Sequence, residues 1–215
     1  MNSNSPIKHM IFDFDGTIVD SRGLMIDLYN ELAVTHNYKI IAAEEVNGLS
    51  KLSIPERCHA LGVPLYRVPL LAKQAKSRYQ EKIESLKANP GMRELVLQLK
   101  ENGYELSVIS SNTTSNIEAF LNRNDMNEYA HVTTASNLFG KHRAINAFLR
   151  KHRISPEHAC YVGDELRDIE ACRKSNIRII SVAWGYDSAE LLRQGEPDYL
   201  AWKPIEIMRY LQKAH

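Results

Sequence analysis

The sequence predicts an α/β fold, a Rossmann-like doubly wound parallel sheet core with a small all-helical cap inserted near its start. From Gly91 onward, short β-branched runs alternate with stretches of helical periodicity, the pattern of a parallel sheet covered on both faces. Between Asp20 and Asn89 that alternation disappears and only helical periodicity remains. Finally, Asp13 and Asp15 stand where the first apolar run stops, a place where ionised carboxylates need a cation, strong hydrogen bonds or a solvent-filled mouth.

Each element follows from local pattern. Ile11, Phe12 and Phe14 read as the first strand, and Gly16 ends it with a residue free to take positive φ. Helical stretches then cover about Leu24 to His36, Pro55 to Leu61 and Val68 to Leu86, with no convincing strand between them. Ser53-Ile54-Pro55-Glu56 has the spacing of a capping box. Leu95, Val96 and Leu99 share one face of a helix over Met92 to Asn102, which Gly103 closes. A strand over Tyr104 to Ser110, a helix over Thr114 to Asn124 and a strand over Ala130 to Ala135 follow. The next helix, Lys141 to His152, turns Ile145, Phe148 and Leu149 inward. A strand over His158 to Gly163, a helix over Glu165 to Ser175 and a β-branched strand over Ile177 to Trp184 continue the alternation. A short helix over Ala189 to Gln194, an edge strand at Tyr199 to Trp202 and a helix over Pro204 to Lys213 complete it. The expected division is a core of residues 1–19 and 90–215 and a helical cap of residues 20–89. Met1 to Pro6 is polar and is assigned no role.

Charge narrows the partners. The 27 lysines and arginines nearly balance the 26 aspartates and glutamates, so the net charge of +1 points to neither nucleic acid nor an anionic membrane. The three cysteines, Cys58, Cys160 and Cys172, are odd in number and lack metal-type pairing, which suits small buried hydrophobes in a reducing compartment. Residues 1–9 hold no signal-peptide core, and no run approaches the ~18 apolar residues of a membrane span. The expectation is a cytoplasmic protein acting on a small molecule; its oligomeric state has no sequence signature.

Open α/β sheets bind ligands at the carboxyl ends of their strands, and the polar clusters of this chain fall at strand ends or helix starts. Asp13 and Asp15 follow the first strand, Ser110-Ser111-Asn112 the second, and Asp164 follows Cys160-Tyr161-Val162-Gly163. An aspartate can merely cap a turn, but a place inside the apolar run favours a ligand role for Asp13. Lys141-His142-Arg143 puts cations at a helix start, where the dipole favours anions; a bound phosphate would satisfy both, and a solvated basic turn is the plain alternative. Asp164 and Asp168 lie one helical turn apart, and Asp168 is equally an ordinary dipole partner. Asp13 and Asp164 together offer hard oxygen ligands suited to magnesium. Ser110 as a nucleophile would need a histidine base, and His131, His142, His152 and His158 lie in helix or strand-start contexts, so a hydroxyl donor to a phosphoryl oxygen is the more economical role. Within the helical insertion, Asn47-Gly48-Leu49-Ser50-Lys51 reads as a loop, and Lys51 or Arg57 could meet a substrate carboxylate or simply be solvated.

These residues match a family. Asp13-Phe14-Asp15-Gly16-Thr17, Ile109-Ser110-Ser111-Asn112, Lys141 and Gly163-Asp164-Glu165-Leu166-Arg167-Asp168 resemble, in order, the four motifs of the haloacid dehalogenase superfamily of phosphohydrolases over almost the whole chain. Asn89-Pro90-Gly91-Met92 and Trp184-Gly185-Tyr186 are similar to the cap-to-core return and the late strand of its phosphoglycolate phosphatase-like branch. One departure is His142-Arg143 after the lysine, where relatives commonly carry proline. The resemblance implies that Asp13 attacks phosphorus and becomes an aspartyl phosphate, and that Asp15 protonates the leaving oxygen and then activates water. It implies magnesium held by Asp13, the main-chain carbonyl of Asp15 and Asp164, with Thr17 and Asp168 supporting. Ser110, Ser111 and Lys141 would bind the transferring oxygens. The second aspartate fits a phosphatase and not a dehalogenase, which needs no proton for its leaving group. The implied activity is hydrolysis of a small phosphomonoester, phosphoglycolate-like or a sugar phosphate. The alternatives are a sugar phosphate mutase passing the same phosphoryl group to a hydroxyl, or a non-catalytic phosphate-binding sensor.

Overall fold

The computed structural model describes residues 6–135 and 140–213. The polar stretch Met1 to Ser5 therefore lies outside the described residues. In chain order the elements are β1 (His9–Phe12), α1 (Arg22–His36), α2 (Val46–Leu49), α3 (Ile54–Ala60), α4 (Val68–Lys82), α5 (Met92–Glu101), β2 (Glu105–Ser110), α6 (Thr114–Arg123), β3 (Tyr129–Thr134), α7 (Lys141–His152), β4 (Ala159–Gly163), α8 (Leu166–Ser175), β5 (Arg178–Val182), α9 (Ala189–Gln194), β6 (Tyr199–Ala201) and α10 (Pro204–Lys213). The six strands form one sheet in the order β3-β2-β1-β4-β5-β6, and every neighbouring pair is parallel. This is the doubly wound arrangement, with the first strand at the centre and the order reversing between β1 and β4.

Side-chain alternation along the strands sorts the core into two layers. Met10 and Phe12 of β1 and Cys160 and Val162 of β4 join a cluster with Met92, Leu95 and Leu99 of α5, Ile117 and Phe120 of α6 and Ile207 and Leu211 of α10. Ile11 and Tyr161, one residue out of phase, face Ile145, Phe148 and Leu149 of α7 and Ile169 and Cys172 of α8. The expected strands are trimmed where a side chain is needed elsewhere. Phe14 leaves β1 and packs edge-on against Phe120, ring centroids 5.3 Å apart. The strand expected to reach Trp184 ends at Val182, and the Trp184 indole instead donates to the Thr17 carbonyl at 3.1 Å. The edge position of β6, the positive φ of Gly103 (82°) and the three unpaired buried cysteines follow the sequence pattern.

The segment between residues 20 and 89 contains no strand among the described residues. Its apolar side, including Leu28, Leu32, Leu61, Leu71 and Tyr79, is continuous with the core cluster around Phe14 and Ile18. The helix expected to run from Val68 to Leu86 ends at Lys82, followed by a single tighter turn at Ile83–Ser85. At the start of α3, the Glu56 carboxylate reaches back to the Ser53 amide at 2.8 Å, the return bond of the capping box. The chain leaves and re-enters the core along one line: the Asp20 amide donates to the Lys87 carbonyl at 2.9 Å and the Asn89 amide to the Ile18 carbonyl at 2.8 Å. Asn89 fixes this crossing with its side chain, which donates to the carbonyls of Gly16 and Thr17 at 3.2 and 3.0 Å.

Candidate active site

β1, β2 and β4 end side by side, so the residues that follow them meet at one edge of the sheet. Asp13 continues the β1–β4 ladder by one bond, its amide donating to the Val162 carbonyl at 2.8 Å, and is 2 % exposed. One carboxylate oxygen accepts from the Phe14 amide at 2.8 Å and the other from Lys141 Nζ at 2.6 Å. Burial alone would raise its pKa, but Lys141 and Arg167 outweigh that and hold it below the usual carboxylate range. Asp13 is thus kept ionised.

Lys141 opens α7 and is buried. Its ammonium bridges Asp13 and Asp168, the latter at 2.5 Å, and lies over the Tyr161 ring at 5.3 Å from the centroid. Burial would lower its pKa, yet the two carboxylates raise it above the ordinary lysine value. The mismatch of a cation at a helix start is resolved here by carboxylates of the protein. Asp168 caps its own helix through the Glu165 amide, and burial pushes its pKa up to about 6 despite Lys141. Arg167 pairs with Glu165.

Asp164 is fully buried, and the approach around it is tight. Thr17 Oγ1 donates to it at 2.8 Å and the Tyr186 amide at 2.7 Å. A side chain at Gly16 (φ 75°) or at Gly185 would put a Cβ only 2.2 Å from Asp164, so both positions require glycine for close backbone approach. Burial and the neighbouring Glu165, Asp13 and Asp168 push the Asp164 pKa well up. Asp13, Asp164 and Asp168 each bring a carboxylate oxygen to within 4.8 Å of the others. With Glu165 they make four buried carboxylates facing Lys141 and the nearly buried Arg167. With all four ionised the formal excess is two negative charges, which a divalent cation with oxygen ligands, such as magnesium, fits. The side chain of Asp15 stands outside this cluster.

Asp15 is only half-buried, and both of its oxygens are engaged. The Tyr79 hydroxyl of α4 donates to one at 2.7 Å and the Asn112 amide to the other at 2.9 Å. Burial raises its pKa above the usual carboxylate range against the opposing effect of these bonds. Asp13 and Asp15, two residues apart, are therefore shifted in opposite directions, the first toward the carboxylate and the second toward the acid. Ser110 is buried at the end of β2, where its Oγ accepts from the Asn112 amide at 3.2 Å; Ser111 is half-buried beside Asn112.

Lys51 and Arg57 stand at the junction between the helical segment and the core. Lys51 is exposed and pairs with Glu190 at 3.2 Å; Arg57 pairs with Asp187, whose other oxygen accepts from the Leu166 amide at 2.7 Å. Sequence reasoning missed Tyr79, because an aromatic on the apolar stripe of a helix reads as core. It also gave no role to Arg167, although the residue lies inside the fourth motif.

The family model described as "Haloacid dehalogenase-like hydrolase" matches residues 10–182. The chain is 29% identical over 204 residues to a protein named phosphoglycolate phosphatase from Synechococcus elongatus, covering 94% of this chain and 96% of that one. It is 22% identical over 207 residues to the pyrophosphatase PpaX of Listeria monocytogenes, covering 94% and 95%. Among solved structures, a haloacid dehalogenase-like family hydrolase from Streptococcus pneumoniae superposes with a TM-score of 0.79 at 22% identity, covering 95% and 98%.

Proposed function

The chain belongs to the haloacid dehalogenase-like hydrolases, and we propose that it is a magnesium-dependent phosphatase that hydrolyses a small phosphomonoester through an aspartyl phosphate on Asp13. The observation that carries this reading is the convergence at one sheet edge of Asp13 paired with Lys141, Asp15 held by Tyr79 and Asn112, and the carboxylates of Asp164 and Asp168. The named relatives, a phosphoglycolate phosphatase and a pyrophosphatase, support water as the phosphoryl acceptor.

In this reading an Asp13 oxygen attacks phosphorus, the bond from phosphorus to the alcohol oxygen breaks, and Asp15 gives its proton to that oxygen as the alcohol leaves. Water then attacks phosphorus and loses a proton to Asp15, the Asp13–phosphorus bond breaks, and phosphate departs with both aspartates restored. Ser110, Ser111 and Lys141 bind the transferring oxygens, and Lys141 moves no proton because its two carboxylates keep it charged. Asp13, Asp164 and the main-chain carbonyl of Asp15 would hold the magnesium, with Thr17 aiming Asp164 and Asp168 tying Lys141 in place. The chemistry a bound magnesium supplies is neutralisation of charge on the phosphoryl oxygens. Residues 20–89 act as the cap, contributing Tyr79 to Asp15 and shielding the intermediate from bulk water. Lys51 and Arg57 act in this reading at the cap–core junction, through their pairs with Glu190 and Asp187.

The test is turnover of p-nitrophenyl phosphate with magnesium. Asp13→Asn lowers kcat by about 10⁴-fold or more while the protein remains folded, and chelation of the metal stops the wild type. Full activity in Asp13→Asn would sink the proposal.

A further inference from the structure

The cap is not solid. A cavity of about 360 Å³ runs from Asp15, Asn112 and Tyr186 at the sheet edge into the space between α1, α2, α3 and α4. Its inner wall includes Met25, Leu32, Leu61, Val63, Leu71 and Ala75. A partly open pocket of this volume, with a nearly unbroken apolar wall, falls in the size range of small-molecule sites.

One helix sets its axis. Leu71, Ala75 and Tyr79 recur every four residues on α4 and form a stripe roughly 12 Å long. The stripe begins at the Tyr79 hydroxyl on Asp15 and ends at the apolar wall. Lys76 and Arg22, both half-buried, also line the cavity, and among the described residues neither has an ion-pair partner. Lys76 feels the charges of Asp15 and Arg167, which puts it toward the sheet-edge end. The remaining lining arginines, Arg57 and Arg167, are already paired with Asp187 and Glu165. The chamber thus has a polarity: positive charge with the proposed acid at its mouth, hydrocarbon behind.

We propose that this chamber receives the leaving group, and that the substrate is a phosphomonoester of an alcohol bearing a large apolar group, a medium alkyl chain or an aryl system, with its phosphoryl end at Asp13. The inference rests on the phosphatase reading above and deepens it. A glycolate leaving group, small and anionic, would leave the apolar wall unfilled and is disfavoured as the preferred substrate.

The experiment is a chain-length ladder. Phosphate release with magnesium is measured for ethyl, butyl, hexyl and octyl phosphate and for phosphoglycolate, and binding of ethylphosphonate and octylphosphonate is measured by calorimetry. The expected kcat/KM rises by up to about fourfold per methylene, the equivalent of about 0.8 kcal/mol per buried CH₂, and octyl phosphate exceeds phosphoglycolate at least tenfold. Ala75→Leu, which fills the chamber, lowers the octyl-to-ethyl ratio by about fivefold or more in both assays, and Ala72→Leu on the same wall gives a second filled variant, each checked for thermal unfolding. A flat or falling ladder, a preference for phosphoglycolate, or an unchanged ratio in folded filled variants overturns the proposal. If wild type hydrolyses no ester, p-nitrophenyl phosphate included, the phosphatase reading falls, and the phosphonate ratios still decide whether the chamber takes an apolar group.

Discussion

Around Asp13 the carboxylates and cations hold one another by short bonds, whereas the apolar inner wall of the chamber is held by packing. Lys141 serves two carboxylates at once, Asp168 serves both Lys141 and its own helix start, and Asp164 is gripped by a hydroxyl and an amide between two glycines. A change to any one of these leaves a buried charge without its partner, so this end tolerates little variation. In the chamber, an apolar side chain can be exchanged for another of similar volume at a cost below about 1.5 kcal/mol. The contrast separates what the fold must keep, the phosphoryl chemistry, from what it can vary, the leaving group.

Three substitutions probe that contrast, in decreasing order of expected effect. Asp15→Asn should lower kcat/KM, which ends at departure of the leaving group, by about 10²- to 10⁴-fold for an alkyl phosphate, with a smaller loss for p-nitrophenyl phosphate, whose phenolate leaves without a proton. Equal losses on the two substrates would remove the proton-donor role. Lys141→Met should lower kcat by about 10²- to 10³-fold and destabilise the fold by about 3–5 kcal/mol, because Asp13 and Asp168 lose their shared cation. Unfolding in urea with and without magnesium checks it: added magnesium should recover part of the lost stability. An identical deficit at all magnesium concentrations would speak against a metal at this cluster.

Tyr79→Phe is the smallest change, a loss of about tenfold or less in kcat/KM. Its signature lies in the pH profile. The Tyr79 bond favours ionised Asp15, so removing it raises the Asp15 pKa further. Because the acid form of Asp15 is the active one, the alkaline limb of kcat/KM should move to higher pH. A limb that stays in place or moves down would show that Tyr79 acts elsewhere. Filling the chamber at Ala75 should leave this limb where it is and alter only the preference among leaving groups, which is how the two halves of the site are told apart.

The polar end of the site was legible in the sequence because its residues interrupt local rules. An aspartate inside an apolar run and a lysine at a helix start each violate an expectation that only long-range partners can repair, and those partners proved to be one another. Thr17 and Asp164 could be read from their strand ends, but not their bond, since nothing local encodes a contact across 147 residues of chain. Tyr79 obeyed its local rule, an apolar residue on an apolar stripe, and so gave no signal. The ion pairs of the outer cations were illegible for the opposite reason: the acidic partners of Lys51 and Arg57 lie far along the chain, in and just before α9. The chamber was illegible because periodicity reports which face of a helix is apolar and says nothing about how closely four such faces approach.

The place of β1 in the sheet also has a consequence in time. Its residues Met10, Ile11 and Phe12 are wholly buried, and their neighbours on either side are Leu106 to Val108 and Cys160 to Val162. The innermost strand is therefore the first to be synthesised and waits for two partners that both lie far downstream, the second of them β4. Pairings of such long sequence separation form slowly, and until they form an apolar segment remains open to other chains. The same central position that brings Asp13 beside residues from distant parts of the sequence leaves one edge of β1 unpaired until β4 emerges.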